Sequence, residues 1–222
     1  MGFRTCRDVS SGILSAMASS VLFEAEGVRG YLHEASAAGD GMVITHGAGG
    51  NCNAPLLVAV ADAFQRAGVT VLRCDLPFRQ QRPSGPPRPV DSAKDRAGLR
   101  SAVAALRDIV SGRLFLAGQS YGGRQASMLA ADEPELVEAL LLLSYPLHPP
   151  GKPADMRTAH FPKLGARTIF VHGSNDPFGS IEEMEAALGL ITVLHKLIVI
   201  EGAGHDLKRG RFDLSILTRS LL

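Results

Sequence analysis

The chain of 222 residues contains no tryptophan and only three tyrosines, and aromatic residues make up 5% of it. So few large rings exclude the stacking platforms on which single-stranded nucleic acids are held. Neither sign of charge is in excess: 23 Lys and Arg stand against 22 Asp and Glu, a formal charge of +1. The chain as a whole therefore carries no electrostatic footprint for nucleic acid or for an anionic membrane surface. Cysteine is scarce. Cys6, Cys52 and Cys74 are an odd number without a Cys-x-x-Cys pair, which excludes a disulfide framework and a structural zinc site and suits a reducing, cytoplasmic setting. A His-Glu-x-x-His pattern is missing too, so neither a metal nor a cofactor is expected. Apolar runs stay well short of the about 18 residues of a membrane-spanning helix, the longest lying around Leu140 and Ile198.

What is present is an ordinary globular composition, 45% hydrophobic and 20% charged, at a length that suits one large domain. Residues 1–20, with Arg4 and Arg7 ahead of a weak apolar patch broken by Ser15, read as an N-terminal extension rather than an export signal. From residue 21 to 222, short β-branched or apolar runs alternate with longer helical patterns, the signature of a mostly parallel sheet with crossover helices. Stretches 21–24 and 28–34, divided by Gly27, predict an antiparallel hairpin. Further strands are expected at 41–45, 69–75, 113–118, 138–144, 167–172 and 196–200. Helices are expected at 55–67, 91–110, 122–131, 181–188 and 211–222. Segment 77–89, with five prolines and three arginines, reads as an irregular loop.

One constellation carries chemistry. Gly118-Gln119-Ser120-Tyr121-Gly122-Gly123 lies where a strand gives way to a helix, the setting in which glycines two before and two after a serine permit a tight turn that projects its hydroxyl from the sheet edge. A serine hydroxyl needs a base to take its proton. Of seven histidines, His205 is best placed, in a small-residue loop after the last strand. His46 and His172 fall at strand ends beside glycines, where packed or backbone-bonded roles are expected, and His33 and His195 lie in or beside strands. The base needs an acid to fix its tautomer, and Asp176 follows the penultimate strand, so the chain order Ser120, Asp176, His205 fits a nucleophile, acid and base. Asp206 reads as a surface or loop-capping residue. Two backbone N–H groups must stabilise the oxyanion; Tyr121 is one candidate, and Ala48, with Gly49 as the alternative, is the other, in the loop His46-Gly47-Ala48-Gly49-Gly50-Asn51.

Residues 47–51, 118–124, 144–153, 175–179 and 204–208 together resemble the small dienelactone-hydrolase-like group of α/β hydrolases. Within it, the Tyr145-Pro146-Leu147-His148-Pro149-Pro150-Gly151-Lys152 stretch is most similar to a branch holding the testis-expressed protein thirty family and subunit three of the NSL chromatin complex. The resemblance covers residue 21 to the C-terminus and implies the α/β-hydrolase fold without a large cap domain. It also implies the nucleophile, acid, base and oxyanion roles at the positions already named. Dienelactone hydrolase uses a cysteine nucleophile, whereas position 120 here is serine, which implies an ordinary serine-hydrolase mechanism.

In that branch Tyr145 and His148 would lie beside the nucleophile and are candidate pocket-lining residues. Arg124 and Arg157 are candidates to hold a substrate carboxylate, although an arginine one turn into the nucleophile helix is more often packed or ion-paired. The reading is a carboxylesterase-like serine hydrolase acting on a small acyl substrate, with no nucleic-acid or membrane partner and no indication of oligomeric state. Two rivals keep the same fold: an idle scaffold that serves protein interaction, and an acyltransferase or thioesterase with the same triad. The roughly twenty residues between strands at 144 and 167 are too few for a lid. An open site shaped by loops 77–89 and 145–162 is expected.

Overall fold

A computed structural model describes residues 20–35 and 39–222, so the expected N-terminal extension, apart from Ser20, and Cys6 lie outside the described residues. The described chain forms one eight-stranded sheet. Its strands are β1 (Val21–Ala25), β2 (Val28–His33), β3 (Gly41–Thr45), β4 (Thr70–Cys74), β5 (Leu114–Gln119), β6 (Ala139–Leu143), β7 (Arg167–Gly173) and β8 (His195–Ile200). The spatial order is β1-β2-β4-β3-β5-β6-β7-β8. β1 and β2 form the expected antiparallel hairpin and β2 runs antiparallel to β4; every other pairing is parallel.

The central strands are apolar on both faces because both are covered. In β5, Leu114 and Leu116 point to one hydrophobic cluster while Phe115 and Ala117 point to the other, and β6 divides Leu140 and Leu142 from Ala139, Leu141 and Leu143 in the same way. Helix α1 (Pro55–Arg66) covers one face with Leu56, Leu57, Val60, Ala61 and Phe64. These side chains recur every three or four residues and so form one stripe. Pro55 sits in its first turn and Gly68, at φ +89°, turns the chain away after it. On the other face lie α3 (Asp91–Arg107), α4 (Tyr121–Asp132) and α5 (Ile181–Leu188), and α6 (Ser215–Leu221) joins α1.

Two elements differ from the sequence expectation. Segment 77–89 is not irregular throughout: α2 (Pro77–Gln81) opens it, with Pro77 at the first turn and Phe78 and Arg79 buried. Proline at that position costs nothing, because the first N–H groups of a helix have no intrahelical acceptor. The last helix begins at Ser215 instead of 211. Leu207, Lys208, Arg209 and Gly210 all adopt positive φ, between 47° and 81°, and form a tight turn before Asp213 accepts the Ser215 N–H at 3.0 Å and its hydroxyl at 2.6 Å.

From β3 the chain crosses over α1 to β4 on one side, then over α3 to β5 on the other. The loops leaving the carboxyl ends of β3 and β5 therefore diverge and leave a crevice between them, the place where open α/β sheets bind ligands.

Candidate active site

Ser120 stands at that crevice, between β5 and α4, with φ 50° and ψ −116°. Such a backbone conformation costs a non-glycine residue about 1–3 kcal/mol and must be held by its surroundings. The glycines around it make the turn sterically achievable. A Cβ on Gly118 would lie 2.5 Å from Gly123 N, and one on Gly122 would lie 2.5 Å from the His46 carbonyl oxygen. The turn is thus wedged between its own two ends and the loop after β3.

Three of the expected side chains meet. Ser120 Oγ lies 2.8 Å from His205 Nε2, and His205 Nδ1 lies 2.8 Å from Asp176 Oδ2 and 3.0 Å from Oδ1. The Asp176 side chain is wholly buried and that of His205 is 25% exposed, so the serine end of the chain faces the crevice while the acid end is sealed from water. The carboxylate is oriented by the Phe178 N–H, which donates to Oδ1 at 2.9 Å. His172, at the end of β7, instead puts Nε2 within 2.9 Å of the Gly179 carbonyl, the backbone-bonded role expected of it. Asp206 points elsewhere, accepting the Lys208 N–H at 3.1 Å.

The loop after β3 is pressed against Ser120: a Cβ on Gly47 would lie 3.4 Å from the serine Cβ. His46 opens that loop as a neutral ring. The Leu76 N–H donates to Nε2 at 3.1 Å, so the proton is on Nδ1 and is donated to the Gly47 carbonyl at 2.8 Å; burial pushes the pKa of this ring down. Arg79, 5% exposed, then ties the loop from below. Its Nη2 donates to the Ala48 carbonyl at 2.9 Å and its Nε to the Gly50 carbonyl at 2.7 Å. Tyr121, the first residue of α4, has an N–H with no acceptor a turn earlier. Its phenol donates to Asp95 of α3 at 2.7 Å, and Asp95 also accepts the Phe78 N–H at 3.0 Å. Burial raises the pKa of both Asp95 and Tyr121. The Phe78 ring packs 5.6 Å from His46 and 5.8 Å from Tyr121, centroid to centroid. Helix α2, read from sequence as loop, is therefore the bracket that holds the Ala48 and Tyr121 segments together.

Neither Tyr145 nor His148 lines the crevice. Tyr145 is fully buried and His148 nearly so. The Tyr145 hydroxyl donates to the Arg157 carbonyl at 2.6 Å, and His148 Nε2 lies 3.1 Å from a Glu183 carboxylate oxygen on α5. Their polar ends are taken up in fastening the segment after β6, so it is Pro146 and Arg157 from this segment that reach the cavity wall. Sequence reasoning assigned no role to Phe178, which stacks on His205 at 4.1 Å between centroids, or to Arg79. A lone aromatic and a lone arginine in segments that read as loop in the sequence carry no spacing signal.

Two cavities open at Ser120. One, of about 600 Å³, is lined by the 47–50 loop, the start of α1, Phe178, His205 and Arg209. The other, of about 550 Å³, is lined by Pro87 to Pro89, Tyr121, Arg124, Gln125, Pro146, Arg157 and Phe178. The loops expected to shape the site contribute to the second. Cys52 and Cys74 are buried free thiols, each pushed up to about 12 by burial. Among the described residues no three His, Cys, Asp or Glu side chains are grouped to hold a metal ion, and no helix is long and apolar enough to cross a membrane.

Known proteins share this arrangement at the level of fold. An α/β serine hydrolase homologue from Coxiella burnetii superposes with a TM-score of 0.72 at 19% identity, covering 92% of this chain and 97% of that one. Dienelactone hydrolase from Anabaena variabilis does so with a TM-score of 0.69 at 23% identity, covering 90% and 94%. An α/β serine hydrolase without a lid from Xanthomonas campestris gives 0.67 at 16% identity, covering 93% and 92%. Residues 38–215 match the family described as an alpha/beta hydrolase domain, and with that match over most of its length the chain belongs to the α/β hydrolase family.

Proposed function

We propose that the protein is a serine hydrolase that cleaves an ester or similarly activated acyl bond of a small substrate, with Ser120 as nucleophile, His205 as general base and acid, and Asp176 as the residue that orients His205. The observation that carries this reading is the unbroken chain of contacts, 2.8 Å from Ser120 to His205 and 2.8 Å from His205 to Asp176. The Asp176 carboxylate accepts from Nδ1–H, which leaves Nε2 unprotonated and able to accept the serine proton. Oγ then adds to the acyl carbonyl carbon, and the developing oxyanion is met by the Tyr121 and Ala48 N–H groups. Collapse expels the alcohol, protonated by His205, and water completes deacylation by the same route.

Two further features support the reading. Ser120 holds a strained backbone beside a helix N-terminus, where a nucleophile is exposed and an oxyanion favoured. The two segments assigned to the oxyanion site are braced through one residue pair, Phe78 and Arg79. We infer, from the resemblance of the 145–152 stretch alone, a kinship within the family to the testis-expressed protein thirty and NSL subunit three branch. The test is labelling with a fluorophosphonate probe together with turnover of a panel of acyl esters. Labelling and turnover that vanish in Ser120→Ala are expected. Labelling that survives the substitution would remove the nucleophile assignment.

A further inference from the structure

The two cavities at Ser120 share Ala48, Ser120 and Phe178 in their walls, so a substrate attacked at Ser120 has one half in each. Which half goes where follows from the proton transfers. His205 lines only the first cavity and must reach the leaving oxygen to protonate it, which sends the leaving group there and the acyl chain into the second.

That second cavity is cationic. Arg88, Arg124 and Arg157 line it, and no Asp or Glu does. The ion pairs among the described residues engage other arginines and none of these three. Arg124, on the first turn of α4, has a buried Nε with no acceptor. Arg157 spends one Nη1 bond on the Pro146 carbonyl, at 3.3 Å. Burial, and then the neighbouring Arg124 charge, hold its pKa below the usual arginine value. Gln125 backs this wall: it is wholly buried, and its Oε1 accepts from Ser92 Oγ at 2.9 Å and Arg96 Nη1 at 3.2 Å. The main chain of Arg157 is fastened, because Tyr145 Oη donates to its carbonyl at 2.6 Å and its N–H donates to the Leu147 carbonyl at 2.8 Å. The wall thus presents the positive charge of three arginines, with no Asp or Glu among its lining residues.

We propose that this cavity binds an acyl group that ends in a carboxylate, so that the substrate is a half-ester of a short dicarboxylic acid. The inference rests on the serine-hydrolase reading. The guanidinium groups of Arg124 and Arg157 hold the remote carboxylate, for which a planar fork of N–H donors is the matching shape. The remote carboxylate is a spectator. Ser120 Oγ bonds to the ester carbonyl carbon and its proton passes to His205 Nε2; the carbon to alcohol-oxygen bond breaks and the alcohol leaves with that proton. Water then cleaves the acyl-enzyme, so the products are the alcohol and the dicarboxylate.

The test is a set of matched esters given to the full chain: 4-nitrophenyl hydrogen adipate, 4-nitrophenyl hexanoate, and 4-carboxyphenyl hexanoate beside phenyl hexanoate. The adipate half-ester should exceed the hexanoate in kcat/KM by about tenfold or more, the scale of one charge-assisted hydrogen bond, and the advantage should shrink at high salt. A carboxylate on the leaving group should bring no such advantage. Arg157→Gln and Arg124→Gln should each pull the adipate to hexanoate ratio toward one. Equal turnover of adipate and hexanoate esters by the wild-type chain, or a preference for charge on the leaving group, would overturn the inference while leaving the hydrolase reading intact. Failure to turn over any ester counts against the hydrolase reading instead. The cavity is then decided by calorimetry on Ser120→Ala: monomethyl adipate binding about tenfold tighter than methyl hexanoate supports it, and equal affinity overturns it.

Discussion

Arg79→Met is the substitution that asks most of this structure. Methionine keeps most of the apolar stem of the side chain but removes every donor. Arg79 donates to the carbonyls of Ala48, Gly50, Arg82 and Gly85 at 2.9, 2.7, 3.2 and 3.0 Å. Gly85 is exposed and Arg82 half-exposed, so their carbonyls rehydrate and contribute little to the loss. The bonds to Ala48 and Gly50 remain, and a hydrogen bond to a charged group is worth about 1.5–3 kcal/mol. Taking the low end for each, because the loop borders the crevice, stability should fall by about 3 kcal/mol. For a chain of this size that lowers Tm by roughly 6–12 °C. If the Ala48 N–H is an oxyanion donor, releasing its loop should also lower kcat by about 10²-fold, the scale of one lost donor, with KM little changed because that contact strengthens only in the transition state. Arg79→Lys, with one compact ammonium able to reach one carbonyl, should fall between. Thermal unfolding and ester turnover check both halves. A kcat within about threefold of wild type, alongside the expected drop in Tm, would refute the link between Arg79 and the proposed oxyanion donor.

Asp176→Asn should lower kcat by roughly 10⁴-fold, the effect of the same change in a serine protease triad, because the amide favours the wrong histidine tautomer; a near-normal rate in a stopped assay with a chromogenic ester would place the acid elsewhere. Gly122→Ala drives a methyl to 2.5 Å from the His46 carbonyl and 2.7 Å from the Thr45 methyl, so a loss of about 1–3 kcal/mol is expected from overpacking, and an unchanged denaturation midpoint would contradict the packing described. His160 has its pKa pushed down to about 4, first by burial and then by the Arg124 charge. Its folded pKa lies below its unfolded value, so the folded chain resists a proton that the unfolded chain takes up. Stability should be lost as pH falls from about 6.5 toward 4, and the difference in unfolding free energy between wild type and His160→Gln should narrow over that window; a difference independent of pH would dispose of the idea.

Much of the site was legible in the sequence because its chemistry is local. Gly118 to Gly123 forms a self-contained turn, and its glycines are required by contacts within the turn and with the neighbouring loop. Asp176 and His205 stand on loops that follow successive strands, and parallel strands in register bring such loops to one edge. Tyr145 and His148 show the opposite case. Resemblance put them beside the nucleophile, yet backbone position does not say which way a side chain turns, and both turn into the protein to fasten the segment that carries Arg157.

By itself, the sequence determined the class of the fold, the hairpin at its edge, the two-faced burial of the central strands and the candidates for nucleophile, acid and base. These depend on short-range periodicity and on residue types whose roles are set by covalent chemistry. Only the tertiary structure decided what braces and shapes the site. The Phe78 and Arg79 bracket ties Ala48, 31 residues before Arg79, to Asp95, 17 residues after Phe78, Phe178 stacks on a histidine from another loop, and Arg88, Arg124 and Arg157 come to one wall from three separate segments. Each of these depends on where side chains distant in sequence end up pointing, which is settled by the packing of the whole core and by the competition of their donors for the carbonyls within reach.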